Sequence, residues 1–181
     1  MRIIAGRWRG RPLTPLGKGD AGARLRPTPD RVRESLFSML SARGLLDGAR
    51  VLDLFAGTGA LGFEALSRGA AQVTFVENGR VGQRLIRANT NLLEAGAAAA
   101  LIGADATRLP PAAEPCDLVF LDPPYGQELG ARAITSAQEG GWLAPGAHIA
   151  WEENAAQTAP GGCEILDQRR YGETWITLLQ A

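Results

Sequence analysis

The 181-residue sequence predicts one α/β domain built on a mostly parallel β-sheet with helices on both faces. From residue 50 onward, short apolar runs alternate with stretches of helical periodicity, the pattern of parallel strands joined by crossover helices. A glycine-rich turn follows the first run, as expected where a strand leads into a helix. The length suits a single domain, and the hydrophobic content of 45% is enough for a packed core.

An arginine-rich segment precedes the predicted domain. Residues 1–27 hold closely spaced glycines and prolines that break regular elements, so we expect an arm with at most a short strand pair. Nine of the 19 basic residues, but only two of the 19 acidic ones, lie in residues 1–33. This imbalance indicates a polyanionic partner for the arm, with a merely solvated tail as the alternative. We therefore divide the chain into a basic arm, 1–27, and a domain over 28–181.

The elements of the domain are predicted in order along the chain. The first helix begins with Thr28 as its cap and Pro29 at its first position, and it ends at Gly44. One face of it is apolar, with Val32, Leu36, Met39 and Leu40. The predicted strands are 51–55, 72–77, 100–103, 117–121 and 147–151, followed by a closing hairpin of 164–169 and 174–179. The predicted helices between them are a stretch that ends at residue 66, then about 78–94 and about 128–139.

Composition excludes several function classes. No apolar run is long enough to span a bilayer and the basic N-terminus is unlike a secretory signal, so we expect a soluble, cytoplasmic protein without a membrane partner. Cys116 and Cys163 lack metal-ligand spacing and His148 is the single histidine, so we expect no metal site. Reduced thiols are expected, with a disulfide as the alternative. Nothing in the sequence indicates more than a monomer.

The glycine turn after the first strand is the first motif that carries chemistry. Gly57, Gly59 and Gly62 have the spacing G-x-G-x-x-G, and Glu77 ends the next strand, where a carboxylate can bind ribose hydroxyls. This pattern fits NAD as well as S-adenosylmethionine. Asp53, four residues before the first glycine, favours S-adenosylmethionine, because a carboxylate gains nothing beside a pyrophosphate but attracts a sulfonium cation. A glycine turn without a ligand is the alternative.

Two further motifs follow the third and fourth strands. Asp105 is placed to accept a hydrogen bond from an adenine amino group, although a plain turn residue gives the same signal. Asp122, Pro123, Pro124 and Tyr125 directly follow the fourth strand. The carboxylate and the first proline's carbonyl supply two acceptors for the hydrogens of an amino group, so that its lone pair faces a methyl donor, and the tyrosine offers a stacking ring. This loop predicts methylation of an exocyclic amino group on a single-stranded or flipped base, with a rigid strand exit as the alternative.

The arm carries a candidate RNA-binding cluster of Arg7, Trp8, Arg9 and Arg11. Arginines suit phosphates and an indole suits base stacking, which together favour RNA. The alternative is that Trp8 anchors the arm to the domain. His148 is expected to be structural. The remaining tryptophans are expected in the core: Trp142, Trp151 and Trp175.

The sequence resembles the RsmD-type bacterial methyltransferases, which use S-adenosylmethionine to methylate guanine N2 in 16S ribosomal RNA. The resemblance runs over nearly the whole chain and rests on the blocks 2–11, 26–34, 53–62, 64–70, 122–125 and 171–174. It implies a Rossmann-like class I methyltransferase fold with a seven-stranded sheet, in which the last hairpin supplies an antiparallel strand. It also implies S-adenosylmethionine as the cofactor and 16S rRNA or the small ribosomal subunit as the partner.

The resemblance also assigns site residues. Asp122, Pro123 and Tyr125 would hold the guanine amino group, and Thr28 would close over the methionine part of the cofactor. The implied cofactor-binding residues are Asp53, Ala56, Gly57, Gly59, Glu77, Asp105 and Ala106.

The sequence departs from the family pattern in two places. The third-strand region, 95–103, is unusually rich in alanine, and Gly79 stands where a helix start is expected.

Three alternative functions remain at this point. The Asp-Pro-Pro-Tyr tetrapeptide is shared with DNA adenine-N6 methyltransferases, but no separate target-recognition domain is evident. The glycine spacing fits an NAD-dependent oxidoreductase, and the basic arm fits a non-enzymatic RNA-binding protein.

Overall fold

Seven strands form one sheet. The computed structural model describes residues 1–17 and 28–181. The strands are β1 (Arg50–Leu54), β2 (Gln72–Val76), β3 (Ala99–Ile102), β4 (Cys116–Leu121), β5 (Leu143–Glu153), β6 (Glu164–Tyr171) and β7 (Thr174–Gln180). Their order in the sheet is β3-β2-β1-β4-β5-β7-β6. The first five are parallel, and β7 pairs antiparallel with both β5 and β6. The predicted fold class is therefore confirmed, including the antiparallel closing hairpin.

Four helices cover the two faces of this sheet. They are α1 (Asp30–Ala42), α2 (Ala60–Ser67), α3 (Arg80–Leu92) and α4 (Leu129–Glu139). One apolar core cluster joins the sheet to α1, α2 and α3, and a second joins its other face to α4. The crossovers thus place helices on both faces, as a parallel sheet requires. In the described residues, none of the helices has the length and apolar character to cross a bilayer.

Helix α1 is amphipathic as predicted, but its beginning differs. Val32 and Leu36 are buried on its inner face, and the chain leaves its end through Gly44 at φ +69°. The capping role predicted for Thr28 is wrong: Pro29 occupies the cap position without a side-chain hydrogen bond. The Thr28 hydroxyl instead contacts the side chain of Glu152 at the end of β5. The Thr28 hydroxyl, which the local capping rule assigns to the start of α1, therefore bonds instead to a carboxylate that is distant in sequence.

The N-terminal segment 1–17 packs against the domain. A bridge between Arg2 and Pro12 forms the short strand pair, and the side chain of Ile3 is fully buried. The amide groups of Ile4 and Ala5 donate to the buried carboxylate of Glu64 on α2, at 2.7 and 3.0 Å. Buried charge-assisted hydrogen bonds hold this segment on the domain. The rest of the predicted arm, 18–27, lies outside the described residues.

Two of the three tryptophans predicted in the core are buried. Trp142 and Trp151 belong to the cluster under α4, which confirms that prediction for them. Trp175 is only partly buried, so the prediction is wrong there, because the residue lies at the start of β7 beside the exposed hairpin turn. His148 lies within β5, where its partial burial and the nearby Arg43 lower its pKa. Cys116 and Cys163 are both free thiols.

Candidate active site

The predicted site residues meet at one edge of the sheet. Strands β1 to β4 run parallel, so their carboxyl ends lie side by side, and the glycine turn, Glu77, Asp105 and Asp122 follow β1, β2, β3 and β4 in turn. Ligands of open α/β sheets bind at this edge, where loops after neighbouring strands converge. The chain topology thus brings Asp53 and Asp122, which are 69 positions apart in sequence, to the same edge of the sheet.

Glu77 ties the first two loops of this edge together. Its carboxylate accepts the amide hydrogen of Gly57 at 2.9 Å and that of Gly79 at 2.6 Å. An added Cβ at Gly79 would come within 2.8 Å of the same carboxylate, and one at Gly82 within 2.7 Å of the Glu77 side chain. The departure noted at Gly79 therefore has a local reason, since glycine leaves room for Glu77. Each carboxylate oxygen keeps capacity for a further donor, such as a ribose hydroxyl.

Asp53 is a buried carboxyl beneath the glycine turn. It is 2% exposed, and its Oδ2 accepts the amide hydrogen of Gly62 at 2.9 Å. Burial raises the pKa of Asp53 to about 8, the charge of Glu77 adds to the rise, and the Gly62 hydrogen bond opposes it. A buried carboxyl in this state gains from a nearby cation, because the positive charge stabilises its ionised form.

Asp105 sits at the exit of β3 as a rigid, exposed acceptor. Its Oδ1 accepts hydrogen bonds from the amide and hydroxyl of Thr107, at 2.9 and 2.8 Å. These two hydrogen bonds hold the pKa of Asp105 below its usual range. Ala106 beside it is buried. The turn is therefore preorganised, with an ionised carboxylate facing solvent at the cleft edge.

The loop after β4 places Asp122, Pro123 and Tyr125 in different environments. Pro123 is buried, whereas the Tyr125 ring is half-buried. Burial raises the pKa of Asp122 well above its usual range, and the negative charges of Glu152 and Asp53 raise it further. Burial likewise raises the pKa of the Tyr125 phenol, so the hydroxyl stays protonated at neutral pH. The loop presents an aromatic ring next to a carboxyl in a crowded negative environment.

Glu152 belongs to the same site, although it was not among the residues predicted from sequence. It accepts a hydrogen bond from the Tyr125 hydroxyl at 3.0 Å and one from the Thr28 hydroxyl at 3.1 Å. The same Thr28 hydroxyl lies 3.4 Å from Asp122 Oδ2. The predicted strand ended at residue 151, whereas β5 continues to Glu153. The available sequence signal was the pair Glu152 and Glu153 directly after the apolar run 147–151, because that run ends at the same edge of the sheet as the site.

The cluster on the N-terminal segment lies over α2 and α3. Arg7, Arg9 and Arg11 are exposed. Trp8 is partly buried against the core, its amide donates to Ser67 Oγ at 3.0 Å, and the Arg7 guanidinium lies 4.0 Å from its ring centroid. This packing supports the alternative in which Trp8 anchors the segment, while the arginines stay available at the surface.

The residues at the edge fit S-adenosylmethionine. Glu77 holds the glycine turn with two backbone hydrogen bonds and retains acceptor capacity for the ribose. The buried carboxyl of Asp53 favours a nearby positive charge, because burial and the charge of Glu77 raise its pKa. A ligand with a sulfonium and an ammonium group supplies that charge, whereas the pyrophosphate of a dinucleotide would add negative charge to the same place. The donor set thus favours the sulfonium ligand.

Comparison with known proteins identifies relatives along the whole chain. The ribosomal RNA small subunit methyltransferase D of Escherichia coli K12 is 40% identical over 185 residues, which cover 99% of this chain and 89% of that protein. The Haemophilus influenzae protein of the same name is 36% identical over 186 residues, which cover 99% and 93%. The solved structure of E. coli yhhF has a TM-score of 0.84 and 37% identity, covering 99% of this chain and 97% of that chain.

A family model described as Conserved hypothetical protein 95 matches residues 1–180. The match spans the N-terminal segment, the glycine turn and the closing hairpin together. The resemblance to the RsmD-type methyltransferases is confirmed, and the chain belongs to the Conserved hypothetical protein 95 family.

Proposed function

We propose that this protein transfers the methyl group of S-adenosylmethionine to the N2 amino group of a guanine in 16S rRNA of the small ribosomal subunit. The observation that carries the proposal is the Asp122-Pro123-Tyr125 loop, which lies at the same sheet edge as Asp53 and Glu77. The relatives named as small-subunit rRNA methyltransferases support the RNA substrate. The chemistry of the loop supports an exocyclic amino group as the acceptor, and the family resemblance supports guanine N2 in particular.

The loop acts on the amino group by alignment. The Asp122 carboxylate and the Pro123 carbonyl accept its two hydrogens, which biases the nitrogen toward tetrahedral geometry and directs its lone pair outward. The cofactor, when bound, supplies an electrophilic methyl group for in-line displacement. The half-buried ring of Tyr125 stacks on the base, which must be single-stranded or flipped out of a duplex. The proton lost from the methylated nitrogen passes to water or to Asp122.

The cofactor is held by the loops after β1, β2 and β3. Glu77 binds the ribose hydroxyls, Asp105 accepts from the adenine amino group, and Asp53 faces the positively charged methionine part. Thr28, which bridges to the carboxylates of the β4 and β5 loops, closes over that same part. The backbone of the glycine turn and of the β3 loop completes the site with Ala56, Gly57, Gly59 and Ala106.

The basic cluster of the N-terminal segment binds the RNA backbone. Arg7, Arg9 and Arg11 are exposed on a segment that is fixed to the domain through Glu64. Guanidinium groups on a rigid support contact phosphates without ordering a free tail, which spares the entropy of folding on binding.

The test is methyl transfer from labelled S-adenosylmethionine to defined nucleic acids. Unmodified 16S rRNA, small subunits assembled from it and duplex DNA are incubated with the protein, and the labelled nucleoside is identified by mass spectrometry. We expect N2-methylguanosine from the rRNA or the subunits. Label that enters only DNA, or that appears as N6-methyladenosine, would contradict the proposal. Calorimetry with S-adenosylmethionine and NAD separately tests the cofactor.

A further inference from the structure

Glu152 stands in the site without a part in the chemistry described so far. It is 4% exposed and lies on the face of β5 opposite Trp151, because successive side chains of a strand alternate. Trp151 packs under Gly130 of α4, so Glu152 faces the side of the sheet that carries α1 and Thr28. A carboxylate is costly to bury, and its place beside a reacting group calls for a function.

Two hydroxyl groups fix the direction of this carboxylate. The Tyr125 hydroxyl donates to Oε1 at 3.0 Å, and the Thr28 hydroxyl lies 3.1 Å from Oε2 and 3.4 Å from Asp122 Oδ2. One hydroxyl therefore spans both carboxylates, and the phenol ring is held at the other side of Glu152. A base that stacks on Tyr125 and is gripped by Asp122 would therefore lie next to Glu152.

We propose that Glu152 is the specificity-determining residue that selects guanine, by accepting a hydrogen bond from the ring N1–H beside the reacting amino group. This inference rests on the proposed function and identifies the group that reads the base. Each oxygen of an ionised carboxylate accepts more than one hydrogen bond, so the contacts with Tyr125 and Thr28 are compatible with a further donor.

The chemistry of the bases explains why a second carboxylate is selective. Adenine, cytosine and guanine all carry an exocyclic amino group. In adenine and cytosine a ring nitrogen with a lone pair adjoins it, whereas guanine has an N–H at N1 next to its amino group. Glu152 accepts from that N–H and repels the lone pair of the other two bases. The loop after β4 can hold the amino group of any of these bases, and Glu152 at the end of β5 therefore determines which base is methylated.

The test compares guanine with 2-aminopurine at the mapped target position of the RNA. 2-Aminopurine keeps the reacting amino group but carries a lone pair at N1 in place of the N–H. We expect wild-type protein to prefer guanine by about 100-fold or more in kcat/KM, because an unpaired polar group is strongly rejected by a site built to bind it. In Glu152→Gln, whose amide can donate as well as accept, we expect that preference to fall by about tenfold or more.

The ratio of kcat/KM for guanine and 2-aminopurine within each variant separates an effect on base recognition from a general effect on the structure of the site. The loss of the guanine carbonyl oxygen in 2-aminopurine affects both proteins equally and cancels in the comparison. Glu153→Gln is the matched control: Glu153 is the next residue of β5, is also buried, and accepts from the amide groups of Asn154 and Gly126. We expect it to retain the wild-type preference whatever its activity. If Glu152→Gln turns over too slowly, the ratio of the two RNA dissociation constants with S-adenosylhomocysteine replaces the kinetic ratio.

The possible results test the role of Glu152 and the proposed function separately. An unchanged preference in Glu152→Gln, or a wild-type protein that accepts both bases equally, would overturn the role of Glu152 and leave guanine methylation intact. A wild-type protein that methylates no guanine would overturn the proposed function itself.

Discussion

Carboxyl groups dominate the site at the scale of single residues. Asp53, Glu77, Asp122 and Glu152 lie close enough that the charges of Glu77 and Glu152 raise the pKa of Asp53 and Asp122 respectively, in addition to the effect of burial. Like charges in a low-dielectric cleft destabilise one another and favour any cation that enters. Within this cluster, Asp53 and Glu77 at the carboxyl ends of β1 and β2 therefore favour a cationic ligand over an anionic one.

Replacement of Asp122 tests the residue that grips the amino group. In Asp122→Ala, we expect kcat to fall by about 100-fold or more, the usual consequence of losing one group that aligns or stabilises the reacting centre. Affinity for S-adenosylmethionine should stay nearly unchanged, because the ribose and adenine contacts lie on other loops. Single-turnover kinetics and calorimetry check the two expectations. A variant that keeps its turnover but loses cofactor binding would place Asp122 in the cofactor site instead.

Replacement of Asp53 tests the buried charge through the pH dependence of stability. The folded carboxyl stays protonated up to about pH 8, whereas the unfolded one ionises near pH 4. The folded state thus binds more protons between these values, so wild-type stability falls as pH rises, by at most about 1.4 kcal/mol per pH unit. Asp53→Asn has no titrating group at this position and lacks this loss of stability. The difference in the free energy of unfolding, variant minus wild type, should therefore increase from pH 5 to pH 8. Urea titrations of the cofactor-free proteins measure the gap; a constant gap would contradict the shifted pKa.

At the scale of elements, the site depends on how closely α2 packs against β2. Gly62 lies in the first turn of α2, and a Cβ there would come within 2.4 Å of the Phe75 ring and 2.8 Å of Val73. The amide of Gly62 also donates to Asp53. The third glycine of the G-x-G-x-x-G pattern is thus a packing residue that allows the close contact between α2 and β2.

The substitution Gly62→Ala tests this packing. We expect it to lower the free energy of unfolding by about 1–3 kcal/mol, since an added methyl group in a filled core forces neighbours apart. Gly161→Ala is the control, because its added Cβ would meet nothing within 4 Å, and we expect no measurable change. Thermal unfolding of the two variants provides the comparison. Equal midpoints for both would show that α2 adjusts freely.

The elements also show which parts of the site could be predicted from sequence. The apolar run that contains Asp53 and the runs that lead directly into Glu77 and Asp122 marked the carboxyl edge, because local patterning and parallel topology are enough to align strand ends. The true end of β5 was not predictable this way. Glu152 and Glu153 are held in the strand by pairing with Ile176 and Trp175 of β7, which a local pattern does not contain. The hydrogen bond of Thr28 likewise spans 124 residues.

At the scale of the whole molecule, charge is divided between two surfaces. The N-terminal segment presents exposed arginines, and the cleft at the sheet edge collects carboxylates. RNA approaches such a molecule through its phosphates, while the acidic cleft disfavours phosphate and leaves room for a base and a cationic cofactor. Under the proposed function, this arrangement would separate the contacts that give affinity for RNA from those that select the base.

Replacing Arg7 and Arg9 tests this division. In Arg7→Ala and Arg9→Ala, we expect weaker RNA binding and a salt dependence, measured as log Kd against log salt concentration, that is shallower by about one per lost phosphate contact. The identity of the methylated base should not change, because neither residue reads it. Binding assays over a range of salt concentrations, followed by nucleoside analysis, cover both expectations. An unchanged slope would remove the segment from the RNA interface.

A crystal structure with S-adenosylhomocysteine and a guanine-containing oligonucleotide tests the central claim most directly. We expect the guanine N2 to lie within hydrogen-bond distance of both the Asp122 carboxylate and the Pro123 carbonyl, in line with the sulfur of the cofactor. A complex in which the Asp122 side chain faces away from the sulfur, with no space beside it for a purine, would show that Asp122 does not hold the amino group.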